Sequence, residues 1–222
     1  MEHYFSRLQN AVRLYWDNPA VSNYRGEIFT YGQLATQIER FHIFFDACGI
    51  KKGDHIAICA KNTARMAVSF LSVNTYEAVV VPILSDFTPE SVNHLVDHSE
   101  SLILFTDSDI WAKLDIQAMP RLKAVVSVND FTLLWSADDE VKAAFASVPE
   151  KFTAKYPMGF SRENVKYNTD NWDDLDIINY TSGTTSAPKG VMLTYRAISA
   201  TVDFGQRYIP SSDKFTMVSM LP

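Results

Sequence analysis

The stretch Tyr180-Thr181-Ser182-Gly183-Thr184-Thr185-Ser186-Ala187-Pro188-Lys189-Gly190 packs five Ser and Thr hydroxyls, two Gly and one Lys into one short segment. Each residue type suits a polyphosphate: Gly lets backbone N–H groups come close to an anion, Ser and Thr donate hydrogen bonds, and Lys adds a mobile positive charge. Charge-assisted bonds of this kind contribute roughly 1.5–3 kcal/mol each. ATP or another nucleoside triphosphate is the ligand this chemistry favours. An ordinary surface turn is made of the same residue types. The spacing is also not that of the G-x-x-x-x-G-K-[ST] loop: counting from Gly183, the second Gly is missing, Pro188 precedes Lys189 and Gly190 follows it. On residue chemistry alone both readings stand.

Such a segment needs rigid elements on either side. Leu175 to Tyr180, with Ile177 and Ile178, reads as a buried strand, and Thr194 is placed to cap a helix running to about Tyr208. Upstream, helix and strand signals alternate. Thr30 and Gln33 form a capping box, after which Leu34, Ile38, Phe41, Phe45 and Cys48 recur at helical spacing until Gly49. His55–Ala60 reads as a strand, Asn62 starts a helix to about Tyr76, and Ala78–Leu84 is a β-branched buried strand. Thr88-Pro89-Glu90 opens a helix ending near His98, with Pro at its favoured first position. Ser101–Phe105 and Lys123–Val128 are short apolar strands with a helix around Ile110–Leu114 between them. This rhythm predicts an α/β fold, a mainly parallel sheet with helices on both faces. Ligands of such sheets bind beyond the carboxyl ends of the strands, where the 181–189 segment falls. Residues 129–174 break the rhythm: a short helix is expected over Ser136–Ala146, then an extended polar surface connection from Pro149 to Asp174. Lys214–Leu221 has the pattern of another strand.

The order Tyr180-Thr181-Ser182-Gly183-Thr184-Thr185-x-x-Pro188-Lys189-Gly190-Val191 resembles the phosphate-binding signature of the adenylate-forming superfamily, which holds acyl-CoA synthetases, luciferases and the adenylation domains of peptide synthetases. Three further stretches resemble that superfamily in the expected order: Phe29-Thr30-Tyr31-Gly32-Gln33-Leu34, Gly49-Ile50-Lys51-Lys52-Gly53-Asp54-His55-Ile56-Ala57-Ile58, and Ala78-Val79-Val80-Val81-Pro82-Ile83, the last preceded by Glu77 in place of the usual Gly. Ser186 stands where Gly is commoner, and Tyr195 where many members have His, so no role is assigned to Tyr195. The resemblance implies the first part of the adenylate-forming N-terminal domain, with residues 1–222 as the N-terminal portion of a larger enzyme. It implies activation of a carboxylic acid, preferably a fatty acid, with ATP to an acyl-adenylate and then capture by coenzyme A, with Mg²⁺ on the phosphates. Thr181, Ser182, Gly183, Thr184, Thr185, Ser186, Lys189 and Gly190 are carried over to the triphosphate, with Lys189 as the catalytic charge and Gly190 giving the exit turn its freedom. An amino-acid-adenylating domain, an aryl-CoA ligase and a non-catalytic nucleotide-binding or scaffold module are the alternatives. A phosphotransferase is disfavoured, because no acceptor-activating Asp can be placed.

Composition narrows the classes. A net charge of −6 and no dense Lys/Arg block argue against nucleic acid as a partner. The N-terminus lacks the order of a signal peptide, and no uncharged apolar run reaches the roughly 18 residues of a spanning helix. Cys48 and Cys59 fall in no C-x-x-C pattern and are expected as reduced core residues of a cytoplasmic protein. Met1–Trp16 is expected to be an amphipathic helix docking on its own domain, with a membrane surface or second subunit as the other uses of its apolar stripe. His94 and His98 share a helical spacing that suits a metal, but without a third ligand no metal site is assigned. Asp173, Asp174 and Asp176 are expected to be a solvated strand start. Oligomeric state is not readable.

Overall fold

The computed structural model describes residues 1–181, 188–209 and 216–219. It begins with helix α1 (Tyr4–Leu14), a hairpin of β1 (Pro19–Ser22) and β2 (Ile28–Thr30), and helix α2 (Tyr31–Ala47). The Thr30–Gln33 capping box that starts α2 is formed: the Gln33 amide donates to Thr30 Oγ1 at 3.2 Å, and the Thr30 amide to Gln33 Oε1 at 2.9 Å. The chain then runs β3 (His55–Cys59), α3 (Ala64–Thr75), β4 (Val79–Ile83), α4 (Pro89–His98), β5 (Ile103–Thr106), α5 (Ser108–Trp111), β6 (Ala124–Ser127), β7 (Leu133–Ser136), α6 (Asp139–Ala146), α7 (Val148–Lys155), β8 (Leu175–Thr181), β9 (Lys189–Thr194) and α8 (Tyr195–Tyr208). Seven strands make one sheet in the order β7-β6-β5-β3-β4-β8-β9. The expected parallel sheet is its centre: β3 pairs in parallel with β4 and β5, β5 with β6, and β4 with β8. Both edges are antiparallel, β7 on β6 and β9 on β8.

Alternate residues of each central strand enter opposite cores, as the period of two requires. Ile56 and Ile58 join Phe41, Phe44 and Phe45 of α2, Val73 of α3 and Val141 of α6, whereas Ala57 and Cys59 join Val92, Leu95 and Val96 of α4. Helices therefore cover both faces. Cys48 and Cys59 are free and buried, and burial pushes their thiols up to about 11 and about 12, so neither is a reactive thiolate. Helix α1 docks on its own domain, with Phe5 and Val12 fully buried against Leu34, Ile38, Val68 and Tyr195.

The 129–174 expectation needs correction. The helix over Ser136–Ala146 is α6, but β7 precedes it and α7 follows at once. The stretch after α7 is not a surface connection throughout, because Val165, Tyr167 and Asn171 are buried. It folds back along α1, where the Tyr167 amide donates to Gln9 Oε1 at 2.9 Å and Arg13 Nε to the Val165 carbonyl at 3.0 Å. Of the strand expected over Lys214–Leu221, the described residues 216–219 are in no strand, and the rest lies outside the described residues. Glu77 adopts φ +68°, the left-handed conformation that glycine takes most readily. Its carboxylate is held there by Asn168 Nδ2 at 2.6 Å and by an ion pair with Lys52, contacts that offset the backbone cost.

Candidate functional site

Strand β8 is the platform. Ile178 and Tyr180 point into the α4 core, and the Tyr180 hydroxyl lies 2.7 Å from His98 Nδ1, tying the strand's carboxyl end to the end of α4. His98 thus serves β8, and no group of three metal-binding side chains occurs among the described residues. At the carboxyl edge of the sheet β8 gives way to the hydroxyl-rich segment, and β9 returns beside it with Thr181 opposite Lys189 and Tyr180 opposite Gly190. The structure thus brings together the two ends of the predicted site. Thr181 and Lys189 are both exposed, a hydroxyl and an ammonium on neighbouring strands. Ser182, Gly183, Thr184, Thr185 and Ser186 lie outside the described residues.

Gly190 has a different role from the one expected. It is an interior residue of β9, not an exit turn, and has no positive φ. A Cβ built there would lie 2.8 Å from Ile178 Cγ2 and 3.4 Å from Tyr180 Cε1. The missing side chain lets β9 close against β8, and that closure sets the position of Lys189 next to it.

Beyond β9, Thr194 caps α8 as expected, its Oγ1 accepting from the Ala197 amide at 3.3 Å. Tyr195, to which no role was assigned, is fully buried and donates its hydroxyl to the Asn74 carbonyl at 3.1 Å. Helix α1 grips α8: the Tyr4 amide donates to Ser199 Oγ at 3.2 Å, and Arg7 pairs with Asp203 at 3.1 Å. The elements before and after the hydroxyl-rich segment are therefore both anchored to the body of the domain.

The acidic cluster splits. Asp173 behaves as expected, exposed and paired in bidentate fashion with Arg196 at 2.7 and 2.9 Å. Asp176 does not: it is fully buried, accepts from the Tyr4 hydroxyl at 2.9 Å and from Asn74 Nδ2, and burial pushes its carboxyl up to about 6 against those hydrogen bonds. The signal was present in the period of two, since Asp176 shares its parity with the buried Ile178 and Tyr180. It lies at the amino end of β8, away from the hydroxyl-rich segment, so it anchors the strand and takes no part in the site.

A family model described as AMP-binding enzyme matches residues 8–222. The chain is 30% identical over 167 residues to crotonobetaine/carnitine–CoA ligase of Proteus mirabilis, covering 75% of this chain and 31% of that protein. It is 27% identical over 204 residues to a chloroplastic long-chain-fatty-acid–[acyl-carrier-protein] ligase of Arabidopsis thaliana, covering 87% of this chain and 28% of the relative. Among solved structures, ATP-bound MatB from Rhodopseudomonas palustris superposes with a TM-score of 0.67 at 21% identity, over 94% of this chain and 38% of that one. That likeness is one of fold. The chain spans about a third of the length of the curated relatives it matches.

Proposed function

The chain belongs to the AMP-binding enzyme family, and from that premise we propose that it supplies the triphosphate-binding segment of an ATP-dependent acid–thiol ligase. One observation carries this reading: β8 and β9 hold Thr181 and Lys189 opposite one another, both exposed, at the two ends of a hydroxyl-rich segment on the carboxyl edge of a parallel sheet. That donor set fits a polyphosphate.

In the first half-reaction a carboxylate oxygen bonds to the α-phosphorus of ATP while the bond to the bridging oxygen breaks, and the electron pair leaves on pyrophosphate. The Lys189 ammonium, the hydroxyls of Thr181, Ser182, Thr184, Thr185 and Ser186, and the Gly183 amide would receive that growing negative charge. In the second half-reaction a coenzyme A thiol bonds to the acyl carbon and AMP departs. Mg²⁺, when bound, would neutralise phosphate oxygens. On this reading residues 1–222 are the N-terminal portion of the AMP-binding domain, and the adenine, acyl and thiol contacts come from outside the matched third. A fatty acid is the preferred substrate, supported by the relative whose name specifies a long-chain fatty acid. Two buried, reduced thiols favour the cytoplasm.

The test is carboxylate-dependent pyrophosphate release by the domain completed to the length of its relatives, against fatty, aryl and amino acids. Release with straight-chain fatty acids well above the other classes is the expected result. Release that prefers an aryl or amino acid would move the substrate class, and none with any acid would remove the ligase reading. The 222-residue chain alone is expected to form no thioester.

A further inference from the structure

We propose that a cavity on the α2 side of the sheet is a second ligand site, for an organic acid with an apolar body. The cavity has a volume of about 410 Å³ and opens between α2, the β6–β7 turn and the α6–α7 junction. That volume lies in the range of small-molecule pockets, roughly 300–1,000 Å³. Its wall is aromatic: Phe41 and Phe44 from α2, Phe145 from α6, and Phe131 from the turn after β6. Phe131 reaches it through an unusual backbone, φ +60°, which is rare for a bulky side chain. Hydrogen bonds of the Phe131 amide to the Ser127 carbonyl at 2.9 Å and of the Ser127 amide to the Thr132 carbonyl at 2.8 Å hold that conformation. Its ring stands edge-on to Phe41, with centroids 5.2 Å apart.

Charge decides the head group. Arg65 is already committed, in bidentate contact with Glu27 at 2.7 Å and over the Phe131 ring at 5.0 Å. Asp130 accepts from the amide and hydroxyl of Thr132 at 3.1 and 2.7 Å. Arg40 is the lining cation without a carboxylate partner among the described residues; exposed on α2, it lies over the Phe152 ring at 5.3 Å. A guanidinium beside an apolar wall recognises a carboxylate on a hydrocarbon or aryl group. The site is separate from the proposed triphosphate segment, because β6 and β8 stand four strand spacings apart in the sheet, about 19 Å.

Decanoate, below its micelle concentration, is a suitable probe, with decan-1-ol as its uncharged counterpart. Calorimetric titration of the 222-residue chain should show saturable binding of one decanoate. Decan-1-ol should bind at least about tenfold more weakly, and Arg40→Gln, melting as the parent does without ligand, should weaken decanoate by a similar factor. Neither tripolyphosphate nor Lys189→Ala should affect decanoate binding. Equal binding of acid and alcohol, an unaltered affinity in Arg40→Gln, competition by tripolyphosphate, or no saturable binding would each overturn the proposal. Decanoate binding in a chain that ignores ATP would leave this site standing and remove the nucleotide reading, so the two fail separately.

Discussion

Lys189→Ala, in the domain completed to the length of its relatives, is expected to slow pyrophosphate release about 10²–10³-fold, the effect of losing one preorganised donor to a developing anion, about 2.7–4 kcal/mol. The carboxylate KM should change little, because Lys189 stands opposite Thr181 at the end of the hydroxyl-rich segment and nothing assigns it to the acid. Pre-steady-state measurement of adenylation, separated from thiol transfer, reads the effect. A raised carboxylate KM with unchanged pyrophosphate release would remove Lys189 from the assigned role. The substitution should leave folding intact, since the side chain is exposed and makes no ion pair among the described residues.

Asp176 carries the second large expectation, on stability. Its ordinary value is 3.8 and burial raises it to about 6 in the folded chain. Between those values the folded state keeps a proton that the unfolded state has released. The resulting stabilisation is full below about pH 4 and is lost as pH rises through about 6, a change on the order of 3 kcal/mol. Asp176→Asn keeps the shape and can still pair with Asn74 and Tyr4, but it carries no proton to lose. It should exceed the parent by about 1 kcal/mol at pH 4.5, where roughly a third of the effect is already lost, and by about 3 kcal/mol at pH 8. Asp176→Ala should be weaker than the parent at pH 4.5, since it strands the Tyr4 hydroxyl and the Asn74 amide in the core, at about 1–3 kcal/mol per group, and should fall below Asp176→Asn at both pH values. Urea denaturation of the three chains at the two pH values measures this. An Asp176→Asn chain less stable than the parent at pH 8 would show that the buried charge is better compensated than its two donors suggest.

The parallel centre of the sheet was legible because β3, β4, β5 and β6 are continuous apolar runs between strong helix caps at Thr30, Thr88 and Thr194, local signals that need no tertiary information. The antiparallel edges were not. Val191, Met192 and Leu193 form half of β9 but leave Val191 and Met192 exposed, so no burial alternation marks that edge. The stretch from Pro149 to Asp174 departs from the expected surface connection because the burial of Val165 and Tyr167 depends on α1, more than a hundred positions away, and a polar segment does not announce which few apolar residues will fold back. For the site, residue type and order pointed to Thr181 and Lys189. The role of Gly190 depended on the side chains it faces across the ladder, Ile178 and Tyr180, and these are visible only once the register is known.

The most direct test of the central claim is thermal denaturation of the 222-residue chain with ATP, tripolyphosphate or adenosine. If the segment between Thr181 and Lys189 grasps phosphates, ATP and tripolyphosphate both raise the melting temperature, by the equivalent of about 2.7 kcal/mol at a hundredfold excess over Kd, adenosine does not, and Lys189→Ala removes most of the shift. Stabilisation by adenosine equal to that by ATP, or a shift that survives Lys189→Ala unchanged, would contradict it.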